Sequence, residues 1–206
     1  MEDKELSRLS AMWELENECF DQGFRLVCGV DEAGRGPLAG DVFAAAVILP
    51  PGYLLEGLND SKKLSPKKRE KLYESITRDA VCYCVGRATP EEIDAVNILN
   101  ATFLAMHRAV YGLSQLPDFV LVDGNRIRGI DIDCKCVVKG DSLSCSIAAA
   151  SILAKVERDR YIEKLDEAYP GYGLAQHKGY PTRQHYAAIR EKGILPIHRK
   201  SFLKNL

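Results

Sequence analysis

Short apolar runs alternate along the chain with longer stretches in which apolar residues fall three and four apart. Leu26–Val30 and Val42–Leu49 read as two strands joined through a Gly-rich turn, and Pro50-Pro51-Gly52 ends the second. Ala80–Ala88, Phe119–Val122 and Cys134–Val138 read as three more strands. Residues 3–21 are helical and polar, with Leu6, Leu9, Trp13 and Phe20 as a packing stripe. A helix starts at Ser65-Pro66, with Ser as N-cap and Pro in the first turn, and runs to about Thr77. Ile93, Val96, Leu99, Phe103, Met106 and Val110 predict one amphipathic helix over Pro90–Leu113. A long helix follows from about Ser144 to Ala168. Tyr169–Pro181 is a Gly/Tyr/Pro loop, and Thr182–Lys192 is the last helix.

The first two strands are joined by a turn too short for a parallel crossover, so they pair antiparallel. The later connections are long enough for parallel pairing. The expected fold is α/β: a mixed β-sheet flanked by helices. An N-terminal helix spans 1–22, the main body 23–168, and a small C-terminal helical extension 169–206.

The composition is that of an ordinary globular protein: 206 residues, 46% hydrophobic and 28% charged. With 28 basic and 29 acidic residues the net charge is −1, so any polyanion site must come from the distribution of charge. No run is long and apolar enough for a membrane span. Met1-Glu2-Asp3-Lys4-Glu5 lacks the features of a secretory signal, and a cytoplasmic location is expected. Seven cysteines include the pairs Cys82/Cys84 and Cys134/Cys136, read as small buried hydrophobes rather than a zinc site.

The chemistry concentrates where apolar strands end in acids: Asp31-Glu32, Asp123 and Asp141. Loops at the carboxyl ends of α/β strands converge, so these four acids are candidates for one cluster. Clustered carboxylates repel and raise one another's pKa values, which divalent cations relieve. Two such ions about 4 Å apart suit an in-line phosphoryl displacement. Adjacent acids on a regular strand face opposite ways, and the glycines that follow are expected to supply a bend bringing both to one site. Gly34-Arg35-Gly36 offers backbone N–H groups to oxygen ligands. Ser61 and Lys62 precede a basic helix start carrying Lys67, Lys68 and Arg69, a candidate phosphate contact. Tyr180 lies among basic groups in Gln176–Pro181, where stacking on a sugar or base is one reading and loop packing another. Asp159 lies about 22 Å along a helix that begins near Ser144, too far to join Asp141, and reads as a local ion pair.

Together these segments resemble bacterial ribonuclease HII, the type 2 ribonuclease H. The resemblance covers about 25–202. It is carried by Asp31–Gly40, Asp60-Ser61-Lys62-Lys63-Leu64, Leu121-Val122-Asp123-Gly124, Lys139-Gly140-Asp141, Ala148–Ile152 with Ala154-Lys155-Val156, His177–Tyr180, and Leu195–Arg199, in the family's order. It implies a ribonuclease H-like fold and hydrolysis of RNA in RNA–DNA hybrids. It also implies incision 5′ of single ribonucleotides in duplex DNA, leaving 3′-hydroxyl and 5′-phosphate ends. Asp31, Glu32, Asp123 and Asp141 match the family's metal-binding carboxylates, with Mg²⁺ or Mn²⁺ as the ion. Gly34, Arg35 and Gly36 match the turn that reads the 2′-hydroxyl, and Tyr180 matches the ring that stacks on the adjacent deoxyribose. A monomer acting on nucleic acid, with no membrane partner, is expected. Another two-metal nuclease of the same fold and a non-catalytic hybrid-binding protein are the alternatives. One departure stands out: Asp41 follows Gly40 where the family usually has Pro. As a residue at a strand start, it is expected to face solvent.

Overall fold

The computed structural model describes residues 2–204. At its centre is a five-stranded sheet in the order β3-β2-β1-β4-β5. The strands are β1 Val27–Ala33, β2 Val42–Ile48, β3 Cys82–Ala88, β4 Phe119–Asp123 and β5 Cys134–Val137. β1–β2 and β2–β3 pair antiparallel, while β1–β4 and β4–β5 pair parallel, the mixed sheet expected from the connection lengths. The helices are α1 Asp3–Met12, α2 Glu14–Asp21, α3 Pro66–Asp79, α4 Pro90–Tyr111, α5 Cys145–Ala168, α6 Leu174–His177 and α7 Arg183–Lys192.

The sheet buries both faces. Val30, Ala44, Ala46 and Val122 pack on the α4 side. Ala45 and Val47 pack on the side of α5, α3 and α1. Close contact of α5 with β1 depends on Gly29, where any Cβ would overlap the Ser146 and Ile147 backbone. A third apolar cluster ties Leu38 and Ala39 of the β1–β2 loop to Ile162 of α5 and to Ile189 and Ile197 of the C-terminal segment.

Several expectations change in detail. The N-terminal helix is two helices, broken at Trp13, whose indole N–H donates to the Tyr53 carbonyl at 2.9 Å. Of its stripe, Leu9 and Trp13 are buried, whereas Leu6 is 42% exposed. The periodicity of Pro90–Tyr111 conceals a kink at Asn97 (φ 67°, ψ 164°), whose side chain accepts from the N–H groups of Leu99 and Asn100 and caps the second half. Cys134 is exposed, because β5 is a short edge strand; all seven cysteines are free. Among the described residues no helix is long and apolar enough to cross a membrane.

Asp41 does not face solvent. It is 2% exposed, its carboxylate accepts from the Tyr161 hydroxyl at 2.8 Å, and the Arg87 guanidinium stands 3.4 Å away. The loop between β1 and β2 folds back onto α5 here, and packing closes over the strand start. Burial raises the Asp41 pKa despite these partners.

Candidate active site

β1 does not bend after Asp31. It stays paired with β2 through Ala33↔Phe43, so Asp31 and Glu32 face opposite sides of the sheet. What changes is the neighbour on the other edge. The parallel pairing with β4 stops at Val30↔Val122, and Asp123 is the next residue on β4. Neighbouring strands lie about 4.8 Å apart, so the strand-end acids become neighbours. Asp123 Oδ1 accepts from the Gly140 N–H at 2.7 Å, which draws in the turn that carries Asp141. Lys139 enters that turn in the left-handed region (φ 59°), directing the buried Asp141 back toward the strand ends.

The Asp31 pKa is raised, first by burial, then by Glu32 and Asp123. Glu32 is raised by burial and Asp123, against Arg35 and Lys62. Asp141 is raised by burial, then by Asp60 and Asp123. Asp123 is thus a charge neighbour of each of the other three. Burial opposes the charge on Lys62, but Asp31, Asp141, Asp60 and Asp123 outweigh it and raise its pKa. Among the described residues no three Asp, Glu, His or Cys groups stand close enough to form a ready-made metal cage. The donor set is all carboxylate and under-neutralised, which is the chemistry a hard divalent cation requires.

Ser61 is 3% exposed, and its hydroxyl lies 2.9 Å from that of Ser151, which in turn hydrogen-bonds Asp31. Ser61 therefore supports a carboxylate, and it also lines the cavity that Lys62 borders. Lys67 and Lys68 are solvated, whereas Arg69 donates to the carbonyls of Ser61 and Leu64 at 2.7 and 2.9 Å and shapes the turn before Lys62. Asp159 pairs with Lys155 at 2.7 Å, the local ion pair expected.

Two cavities meet at Glu32 and Arg35. One of about 320 Å³ runs from Asp123 along Thr102 and Phe103 of α4. The other, about 650 Å³, brings Gly34, Arg35, Gly36, Lys62 and Tyr180 together. Tyr180 is 43% exposed, and its ring lies 3.4 Å from where a Gly36 Cβ would stand. A larger groove of about 720 Å³ beside Phe43, Arg87 and Tyr161 contains none of the predicted residues.

Sequence reasoning missed the groups beneath this cavity. Asp60 opens a segment read for its lysines, yet it neighbours Asp141. Arg158 is buried under Gly34, with Nε and Nη1 lacking partners among the described residues and its guanidinium 6.0 Å from the Tyr180 ring. His198 Nδ1 accepts from the Leu195 N–H at 2.9 Å, so its Nε2–H donates to His185 Nε2 at 3.1 Å. His185 Nδ1–H then donates to the Tyr180 carbonyl at 3.1 Å, linking the C-terminal segment to the Tyr180 loop. Asp60 and His198 fall within segments that carry the resemblance, whereas Arg158 and His185 have no local sequence signal.

Residues 28–205 match the family model described as Ribonuclease HII. A ribonuclease HII of Myxococcus xanthus (strain DK1622) is 57% identical over 196 residues, covering 95% of this chain and 67% of that protein. One from Clostridioides difficile (strain 630) is 54% identical over 203 residues, covering 98% and 80%. The crystal structure of the ribonuclease H2 from Pyrococcus horikoshii OT3 superposes with a TM-score of 0.72 at 30% identity, over 86% of this chain and 93% of that one.

Proposed function

The chain belongs to the ribonuclease HII family, endonucleases that hydrolyse RNA in RNA–DNA hybrids, and on that premise we propose that it also incises duplex DNA 5′ of single embedded ribonucleotides. The observation that carries this reading is the shared Glu32–Arg35 boundary between the carboxylate cluster and the cavity lined by Gly34, Gly36 and Tyr180. On this reading the phosphodiester-cleaving site and the sugar-reading site adjoin through Glu32 and Arg35.

Asp31, Glu32, Asp123 and Asp141 would hold Mg²⁺ or Mn²⁺, which when bound activates a water and stabilises the leaving oxygen of an in-line displacement. The Gly34–Gly36 backbone contacts the 2′-hydroxyl, the one group that separates a ribonucleotide from a deoxyribonucleotide. Tyr180 stacks on the adjacent deoxyribose. Lys62, beside the acids and open to the cavity, attracts the scissile phosphate. Ser61 keeps Ser151 against Asp31. All these groups come from one chain, so a monomer suffices.

The test is a labelled duplex carrying one ribonucleotide, incubated with Mg²⁺, Mn²⁺ or EDTA beside an all-DNA control. A metal-dependent nick 5′ of the ribonucleotide, with the control intact, is expected. Cleavage of the all-DNA control, or no nick with either metal, would refute it. Asp123→Asn should abolish cleavage with the fold retained; substantial residual activity would remove Asp123 from the metal site.

A further inference from the structure

Arg199 is fully buried, and no carboxylate pairs with it among the described residues. Among the described residues all its side-chain hydrogen bonds go to carbonyls of the loop between β1 and β2. Nη2 donates to Gly34 at 2.7 Å, Nη1 to Arg35 and Pro37 at 3.0 and 2.8 Å, and Nε to Gly40 at 2.9 Å. A trans peptide carries its C=O and N–H on opposite sides. With the Gly34 and Arg35 carbonyls drawn inward, the N–H groups of Arg35 and Gly36 point outward. Neither finds an acceptor among the described residues, and both residues line the cavity that Tyr180 shares. Two successive outward N–H groups form a concave site for one oxygen.

We propose that Arg199 is a positioning residue for ribonucleotide discrimination: its guanidinium sets the two peptide planes whose N–H groups meet the ribose 2′-oxygen. This rests on the reading of the turn given above. The role depends on shape as well as charge, because only a planar fork reaches several carbonyls at fixed angles and a lysine ammonium does not. The loop has anchors besides the guanidinium. The Arg199 N–H donates to the Leu38 carbonyl and the Gly40 N–H to the Ile197 carbonyl, each at 2.8 Å, and Ala39 bridges to His198. Arg199→Lys is therefore expected to fold with the loop attached and its peptide planes unfixed.

The experiment compares wild type with Arg199→Lys, with Ca²⁺ replacing Mg²⁺ to hold the substrate uncleaved. It reads the ratio of Kd for an all-DNA duplex to Kd for the same duplex with one ribonucleotide. The ratio is expected to fall at least tenfold in Arg199→Lys, with the all-DNA Kd unchanged within twofold, a pattern that general loosening of the fold would not give. A ratio within twofold of wild type would overturn the role of Arg199 while leaving the reading of the turn intact. If wild type itself shows no preference for the ribonucleotide, the reading of the turn falls and this inference with it. Should the variant not fold, the amide resonances of Arg35 and Gly36 in wild type decide. They should shift with the ribonucleotide duplex and not with the all-DNA duplex, and equal response to both would overturn the proposal.

Discussion

Adding one methyl group at Gly34 meets two obstacles at once. Its φ of +95° is costly for any residue with a Cβ, and that Cβ would overlap Nε of the buried Arg158. Gly34→Ala is expected to lose about 1–2 kcal/mol from the backbone alone, and to lose most incision at a single ribonucleotide. Urea unfolding and the nicking assay measure the two effects; unchanged values in both would show that the turn tolerates a side chain. Tyr180 is the opposite case. Its exposed ring contributes little to the core, so Tyr180→Ala should keep its stability within about 0.5 kcal/mol while incision at isolated ribonucleotides falls. An unchanged rate would remove the ring from the site. Both residues were legible in the chain, Gly34 from its motif and Tyr180 from its aromatic place in a basic loop. Arg158 and Arg199 were not, because a guanidinium buried among carbonyls looks, in one dimension, like any surface arginine.

At the scale of elements, α4 shows how periodicity hides a break. Ile93 through Val110 keep their three-and-four spacing across Asn97, although that residue sits in a backbone region suited to glycine. Its side chain offsets the strain by capping the second half of the helix, which lines the smaller cavity at Thr102 and Phe103. Asn97→Ala removes the cap and keeps the strain, so a loss of about 1–3 kcal/mol is expected. Asn97→Gly relieves the strain and should be the milder variant in thermal unfolding. The start of α5 holds a similar surprise. Glu16 of α2 is buried against it, accepting from the Ser144 hydroxyl at 2.6 Å, the Ser146 N–H at 2.9 Å and the Ser146 hydroxyl. The helix start at Ser144 was readable from its own residues. The carboxylate that completes it comes from a distant polar helix whose acids look solvated in sequence.

For the whole molecule, the histidine chain between the C-terminal segment and the Tyr180 loop makes stability depend on pH. Burial, together with nearby His177 and His198, pushes His185 down to about 4 from 6.5, and burial also lowers His198. A histidine whose folded pKa is depressed binds its proton first in the unfolded chain. Its contribution is therefore complete above pH 6.5 and is lost as pH falls from 6.5 toward 4. For His185 the full loss is on the order of 3 kcal/mol. Chemical denaturation at neutral pH and near pH 5 should show wild type losing stability more steeply than His185→Asn. Equal slopes would mean that the ring is not held neutral by the fold.

The sequence by itself determined the α/β class, the strand order's sense of pairing and the four acids at strand ends. These follow from local rules: apolar period, connection length, and the placing of loops at carboxyl ends of strands. Only the tertiary structure decided how the acids meet. Asp31 and Glu32 face opposite ways on a strand paired through Ala33, and both neighbour Asp123, which begins where the β1–β4 pairing ends. It also decided that Asp41 is buried and that Ser61 turns to Ser151. Arg199 reaches back to Gly34 for the same kind of reason. Each of these depends on contacts between residues far apart in the chain, set by packing three layers together, and no local pattern of hydrophobic and polar positions encodes them.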